Sequence, residues 1–143
     1  MIYTELTKKA LIIAYNAHFG QFDKGGVPYV FHPFHLAEQM ETEYEICVAL
    51  LHDVLEDSDF SIDDLKNYGF PNEIIDAVDL LTKKKECSYT SYISQICENQ
   101  LSKKIKREDI KHNLDLSRIN KITDKDKKRI QKYKQALEIL NNM

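Results

Sequence analysis

Apolar residues recur at helical spacing along almost the whole chain. Leu6, Ala10, Ile13, Ala14 and Ala17 form one stripe, which predicts a first helix ending near Gly20. The loop QFDKGGVPYVFHP follows, carrying Gly25, Gly26 and Pro28. Pro33 suits the first turn of a second helix over 34–40 and pushes the preceding His32 out of the helical region, to that helix's entrance. Ile46, Ala49, Leu50, Val54 and Leu55 then mark a buried helix over 44–57. Ser61 with Asp64 reads as a capping pair for a short helix over 61–68, and Gly69 and Pro71 break the chain before a helix with Ile74, Val78 and Leu81 inside. That helix ends on Thr82, Lys83, Lys84 and Lys85, positive charge where the helix dipole favours it. Tyr92, Ile93 and Ile96 predict a helix over 89–98, and Ile105, Ile110 and Leu114 another over 101–116. Thr123 with Asp126 caps a final helix striped by Ile130, Tyr133, Leu137 and Leu140. No alternating pattern of useful length points to a strand. The expectation is an all-α, single compact bundle of about seven helices, one domain over 1–143.

Composition narrows the class without naming it. With 143 residues, 43% apolar and 30% charged, the chain is long enough for one ordinary core. A net charge of −3 argues against nucleic acid as a partner. No apolar run approaches the roughly 18 residues a membrane span needs, so no membrane is expected. The start, MIYTELTKK, runs straight into an amphipathic pattern and does not read as an export leader. Cys47, Cys87 and Cys97 are odd in number and lack paired zinc-site spacing, so they read as reduced structural thiols in the cytoplasm.

The chemistry concentrates in VALLHDVLEDSD, residues 48–59. On a continuous helix, His52 and Glu56 share a face, as do Asp53 and Asp57, with the two acids about 6 Å further along the axis. Four ionisable groups on an otherwise apolar helix are costly unless something compensates them, and a bound cation does so directly. Imidazole and carboxylate are ordinary ligands of divalent metals, and acids one turn on can handle a proton. Taken by itself, a His-Asp dipeptide is more simply a helix turning polar residues to water. Further along, Asp109, His112 and Asn113 fall on one helix face in KREDIKHN, again most simply a solvated face when taken alone. Together with His32, His52 and Asp53 the count becomes two imidazoles and two carboxylates, enough for one ion.

These residues carry a resemblance. The stretches AHFGQFDKGGVPYVFHP (17–33), ALLHDVLEDS (49–58), LLTKKKECSYTSYI (80–93), IKREDIKHNLDLSR (105–118) and RIQKY (129–133) resemble, in order, motifs of the HD superfamily of metal-dependent phosphohydrolases. More narrowly, the chain is similar to the alarmone (ppGpp) hydrolase domain of stringent-response enzymes and its small stand-alone relatives. The resemblance implies an all-α fold in which His32, His52, Asp53 and Asp109 hold one metal ion, usually Mn²⁺. It further implies catalytic roles for Glu56 and Asp57. Lys24, Thr82, Lys83, Asn113, Arg129 and Tyr133 match positions lining the pocket for a small-molecule nucleotide substrate. By their own pattern, Tyr133 reads equally as a core tyrosine, Arg129 as a surface arginine, and the basic run 103–111 as a solvated face.

The implied reaction is attack of a water, activated at the metal, on a nucleotide phosphate ester, most directly (p)ppGpp 3′-pyrophosphate hydrolysis. Synthesis is not expected, since the sequence leaves no room for a synthetase half. Two other readings stay open: hydrolysis of another nucleotide, such as an NADPH 2′-phosphate or a nucleoside monophosphate, and a non-catalytic nucleotide-binding sensor. Retention of the four ligands and both acids speaks against the sensor. The loop also departs from the family's usual Arg-Lys-x-Gly-x-Pro-Tyr. Asp23 stands at the arginine expected to stack on the base, and Gly25 where serine is frequent. A carboxylate there neither stacks nor attracts phosphate, so weakened ppGpp binding, relieved by Asp23→Arg, is expected. Arg107 and Glu108 likewise replace small apolar residues beside Asp109.

Overall fold

The structure, a computed structural model, describes residues 1–115 and 121–143. Nine helices occur among the described residues: α1 (Glu5–Ala17), α2 (Phe31–Glu38), α3 (Glu43–Leu51), α4 (Val54–Asp57), α5 (Ile62–Asn67), α6 (Asn72–Leu81), α7 (Tyr89–Ile96), α8 (Gln100–Asn113) and α9 (Asp124–Asn142). The only β feature among them is an isolated antiparallel bridge between Phe22 and Pro28, which pinches the loop after α1. The chain is all-α, as the periodicity indicates. The last predicted residue of the 101–116 helix, Leu116, lies outside the described residues, as do Ser117 and Arg118.

Why α3 sits at the centre is visible in its sequence. EYEICVALL is apolar all round after its capped start, and Ile46, Cys47, Val48, Ala49, Leu50 and Leu51 are all buried. A helix with no polar face must be covered on every side. α1 and α2 pack on it most extensively, and α6 and α8 close the remaining sides. The α1 stripe supplies Ala10, Ile13 and Ala14, and α6 supplies Ile74, Ile75, Ala77, Val78 and Leu81. α9 lies against α7 and α8 and buries Ala136 and Leu140, while its outer face stays charged. Cys47, Cys87 and Cys97 are free thiols. No helix among the described residues is long and apolar enough to cross a membrane.

Two predicted boundaries move, and both moves concern the site. α2 begins at Phe31, so His32 lies in its first turn instead of ahead of it. The turn is entered early because Phe31 and His32 N–H groups already reach the carbonyls of Pro28 and Tyr29, at 3.1 and 2.9 Å. Pro33 is tolerated because the N–H it lacks is one that a first turn leaves unpaired anyway. The expected continuous 44–57 helix is instead broken. Its backbone leaves the helical path at Asp53 (φ −107°, ψ 0°), giving α3 and α4 with His52 and Asp53 at the joint. The Asp53 side chain does not cap α4; it accepts a hydrogen bond from the Tyr29 hydroxyl and turns toward His52. Hence His52 and Glu56 do not share one helix face, although the Asp57 N–H still reaches the Asp53 carbonyl at 3.0 Å.

Candidate active site

Three separate stretches bring four ligand-type side chains together. His32 comes from α2, His52 and Asp53 from the α3–α4 joint, and Asp109 from the middle of α8. His32, His52 and Asp109 are buried, and each offers a ligand atom within 4.8 Å of the others. His32 Nε2 lies 2.8 Å from Asp109 Oδ1, and His52 Nε2 lies 3.0 Å from Asp53 Oδ2 and 3.7 Å from Asp109 Oδ1.

The donor set suits a divalent cation. His52 Nδ1 stands 2.7 Å from the Ala49 carbonyl, an acceptor, so that nitrogen carries a proton and Nε2 is left facing the carboxylates. Nε2 is buried between these two carboxylates and has no partner other than them. Burial pushes the His52 imidazole down, yet Asp53 and Asp109 together hold its pKa well above the usual histidine range. Burial likewise raises Asp53, and the His52 charge more than reverses it. The cluster thus calls for positive charge between its members, as a proton or as a metal ion. Two imidazole nitrogens and two carboxylates are a donor set for Mn²⁺, Zn²⁺ or Fe²⁺ and not for the all-oxygen sites that Ca²⁺ prefers.

Two partners of this cluster, Tyr29 and Lys106, do not stand out in the sequence, whereas His112 and Asn113 share the helix face already singled out around Asp109. The Tyr29 hydroxyl donates to Asp53 Oδ2 at 2.5 Å, fastening the loop after α1 to that carboxylate. Lys106 Nζ holds Asp109 Oδ2 at 2.9 Å and lies over the Tyr92 ring, while Asn113 Nδ2 donates to Asp109 Oδ1 at 3.0 Å. Burial raises the Asp109 carboxyl, but Lys106 and the two histidines bring it well below the ordinary range. His112 is 2.7 Å from His32 through their Nδ1 atoms, with the rings stacked, which leaves His32 Nε2 toward Asp109. The only sequence signal for Lys106 is its position three residues before Asp109, one turn away on the same face. Helical geometry deals the basic run 103–111 to two faces: Lys106 turns to the cluster, and Lys103, Lys104, Arg107 and Lys111 turn away. Arg107 and Glu108 therefore stand clear of the site.

Glu56 and Asp57 lie exposed on α4 beside the cluster. Partial burial, then Asp53, then Glu56 push the Asp57 carboxyl up to about 6; burial and Asp53 also raise Glu56. Against Tyr29 and Asn113, the partners of Asp53 and Asp109, opens a cavity of about 230 Å³ lined also by Lys24, Arg129, Tyr133, Phe22, Asp23 and Gly25. Lys24 Nζ and Arg129 Nη2 each meet Asp126 Oδ1 at 2.6 Å. Thr82 and Lys83 do not line this cavity. The Thr82 hydroxyl donates to the Val78 carbonyl at the end of α6, and Lys83 Nζ to the Lys84 carbonyl. The Asp23 carboxylate has a local task that the sequence does not show. Its Oδ1 accepts the N–H groups of Gly25 and Val27 at 2.8 and 3.0 Å, and so shapes the loop.

No protein-family model matches the chain. A curated relative, guanosine-3′,5′-bis(diphosphate) 3′-pyrophosphohydrolase of Haemophilus influenzae, is 41% identical over 80 residues, which is 52% of this chain and 12% of that protein. GTP pyrophosphokinase of Myxococcus xanthus is 34% identical over 95 residues, 64% of this chain and 12% of that protein. A solved structure of a metazoan SpoT ortholog that hydrolyses ppGpp superposes with a TM-score of 0.78, covering 98% of this chain and 87% of that one at 23% identity. The likeness is to ppGpp hydrolases of the HD type. It confirms the resemblance carried by the motifs, and it fixes the fold. The chain spans about an eighth of the length of the curated relatives it matches, 12% in each case.

Proposed function

We propose that this domain is a metal-dependent phosphohydrolase that removes the 3′-pyrophosphate of (p)ppGpp. The observation that carries the reading is the buried His52 Nε2, facing Asp53 and Asp109 at 3.0 and 3.7 Å, beside a cavity rimmed by Lys24 and Arg129. The names and activities of its relatives supply the substrate.

In this reading His32, His52, Asp53 and Asp109 hold one divalent ion, manganese by preference. When bound, such an ion supplies a Lewis acid for a phosphoryl oxygen and lowers the pKa of a water. The remaining work belongs to the chain. Tyr29 orients Asp53; Lys106 and Asn113 orient Asp109. Asp57, its carboxyl raised to about 6, accepts the proton of the attacking water near neutral pH, and Glu56 shares that task. Lys24 and Arg129 leave Asp126 for the substrate phosphates, and Tyr133 flanks the base. The water oxygen ends on the pyrophosphate, the bond from phosphorus to the ribose 3′ oxygen breaks, and that oxygen leaves with a proton. We place the protein in the cytoplasm, acting on a free nucleotide and on neither nucleic acid nor membrane.

The test is a nucleotide panel presented to purified, manganese-loaded protein. Pyrophosphate and GDP in equal amounts from ppGpp are the expected products. A specific observation keeps one alternative alive: the residue at the expected base-stacking position is the Asp23 carboxylate, which accepts the N–H groups of its own loop. Orthophosphate released from NADPH or a nucleoside monophosphate, with ppGpp untouched, would move the substrate assignment there.

A further inference from the structure

α8 has a second charged face, directed away from the cluster. It borders a groove of about 610 Å³ against the start of α3, lined among others by Glu45, Lys103, Lys104, Arg107, Glu108 and Lys111. Two of these cations are matched. Lys104 Nζ meets both oxygens of Glu45 at 3.0 Å, and Lys111 Nζ lies 3.5 Å from Glu108. Lys103 and Arg107 are not matched by any carboxylate among the described residues. They stand four positions apart on one face of α8, about one turn, so their head groups share the same stretch of groove.

The unmatched pair is unusual for where it sits. Lys103 is only 9% exposed, and among the described residues its side chain makes no hydrogen bond or ion pair. Arg107 gives one Nη2 bond to the Leu140 carbonyl at 3.1 Å, and its Nε is buried without any partner. Lys103 is buried along its stem with its ammonium at the groove, Arg107 is partly buried, and neither charge has an anion beside it among the described residues. The whole chain is net negative, so this pair is not part of a general positive surface.

We propose that this groove is a second binding site, for a small polyphosphate anion. Two uncompensated cations ask for a ligand of at least two negative charges. A guanidinium and an ammonium one turn apart suit two successive phosphoryl groups, the first by its planar fork and the second as a point charge. The groove has room for a diphosphate with a nucleoside attached. It shares no lining residue with the cavity beside the metal cluster, so the two are separate sites on opposite faces of one helix. The inference stands on this charge arrangement and does not depend on the hydrolase reading.

Isothermal titration of inorganic pyrophosphate into the full chain tests it, at low and at high salt. Wild-type protein should show a binding event that weakens as salt rises. Lys103→Gln and Arg107→Gln should each weaken that event by roughly tenfold or more. Lys104→Gln and Lys111→Gln, both nearer the surface, should weaken it less, and they keep the test open should a buried variant misfold. Lys24→Ala and Arg129→Ala should leave it intact. Pyrophosphate binding that disappears with Lys24 or Arg129 and survives the Lys103 and Arg107 changes belongs to the other cavity and overturns the site. So does sulfate binding as tightly as pyrophosphate.

Discussion

Lys24 and Asp126 meet at 2.6 Å although 102 residues of chain separate them. The same carboxylate oxygen takes Arg129, so a cation of the α1–α2 loop and a cation of α9 are held side by side on the rim of the cavity beside the cluster. Asp126 also closes the capping box at the head of α9 with Thr123. Lys24, then the Thr123 bonds, hold its carboxyl well below the ordinary range.

Asp126→Asn preserves the cap and removes the charge that gathers the two cations. Their mutual repulsion then spreads them, and KM for ppGpp should rise severalfold with metal content unchanged. Steady-state kinetics with metal analysis checks this. A fall in KM would show that the carboxylate competes with substrate and does not arrange the rim for it.

Metal binding is expected to depend on pH in a definite sense. In the metal-free protein His52 is held protonated by Asp53 and Asp109, so loading an ion must displace that proton. Affinity should therefore increase as pH rises toward the raised His52 pKa, with protons released on binding. Titrations in two buffers of different ionisation enthalpy measure the release. Asp53→Ala should abolish stoichiometric Mn²⁺ binding; one equivalent bound with unchanged affinity would remove Asp53 from the ligand set.

Glu56→Gln and Asp57→Asn should retain the metal while kcat falls by roughly 10²-fold or more, the usual cost of losing proton transfer. With its carboxyl raised to about 6, Asp57 is an acid below that pH and a base above it, so activity should climb through this range from the acid side. A bound cation shifts the climb to lower pH, because it favours the carboxylate. In Asp57→Asn that limb should vanish. Wild-type turnover in both variants would exclude the pair from the reaction.

Lys106→Met tests the support behind the cluster. Lys106 is 13% exposed at its side chain and pairs with an almost fully buried carboxylate. Removing one partner of such a pair costs about 3 kcal/mol, chiefly through the charge left behind. Metal-free Lys106→Met should melt well below the wild type, and Mn²⁺ should recover part of the difference. Equal melting temperatures without metal would show that Asp109 finds another partner.

Asp23→Arg, attractive from the sequence because it restores a stacking cation, is now expected to fail. It removes the acceptor of the Gly25 and Val27 N–H groups, and Gly26 in the same turn has φ +82°. KM for ppGpp should not improve. An improvement would mean that the loop holds its shape without the carboxylate.

The fold was legible because helical periodicity identifies which face of each segment is buried: Ala10, Ile13 and Ala14 on α1, and Ile74, Val78 and Leu81 on α6. The meeting of His32, His52 and Asp109 was readable only through the resemblance, since periodicity gives each helix a face and no orientation relative to the others. The break at Asp53 was hidden because apolar spacing runs through it unbroken; it is tied to a long-range bond from Tyr29. Thr82 and Lys83, suggested by motif order, bond locally at the end of α6, to the Val78 and Lys84 carbonyls.

The bond from Tyr29 to Asp53 has an engineering consequence. Any exchange of the α1–α2 loop with a relative's, made to retune which nucleotide is accepted, also replaces the hydroxyl that steadies Asp53, a carboxylate of the proposed metal site. In the proposed site, selectivity and ion occupancy are therefore expected to change together. A loop transplant lacking a tyrosine at that point should be judged first by how much metal it still carries, and only afterwards by what it cleaves.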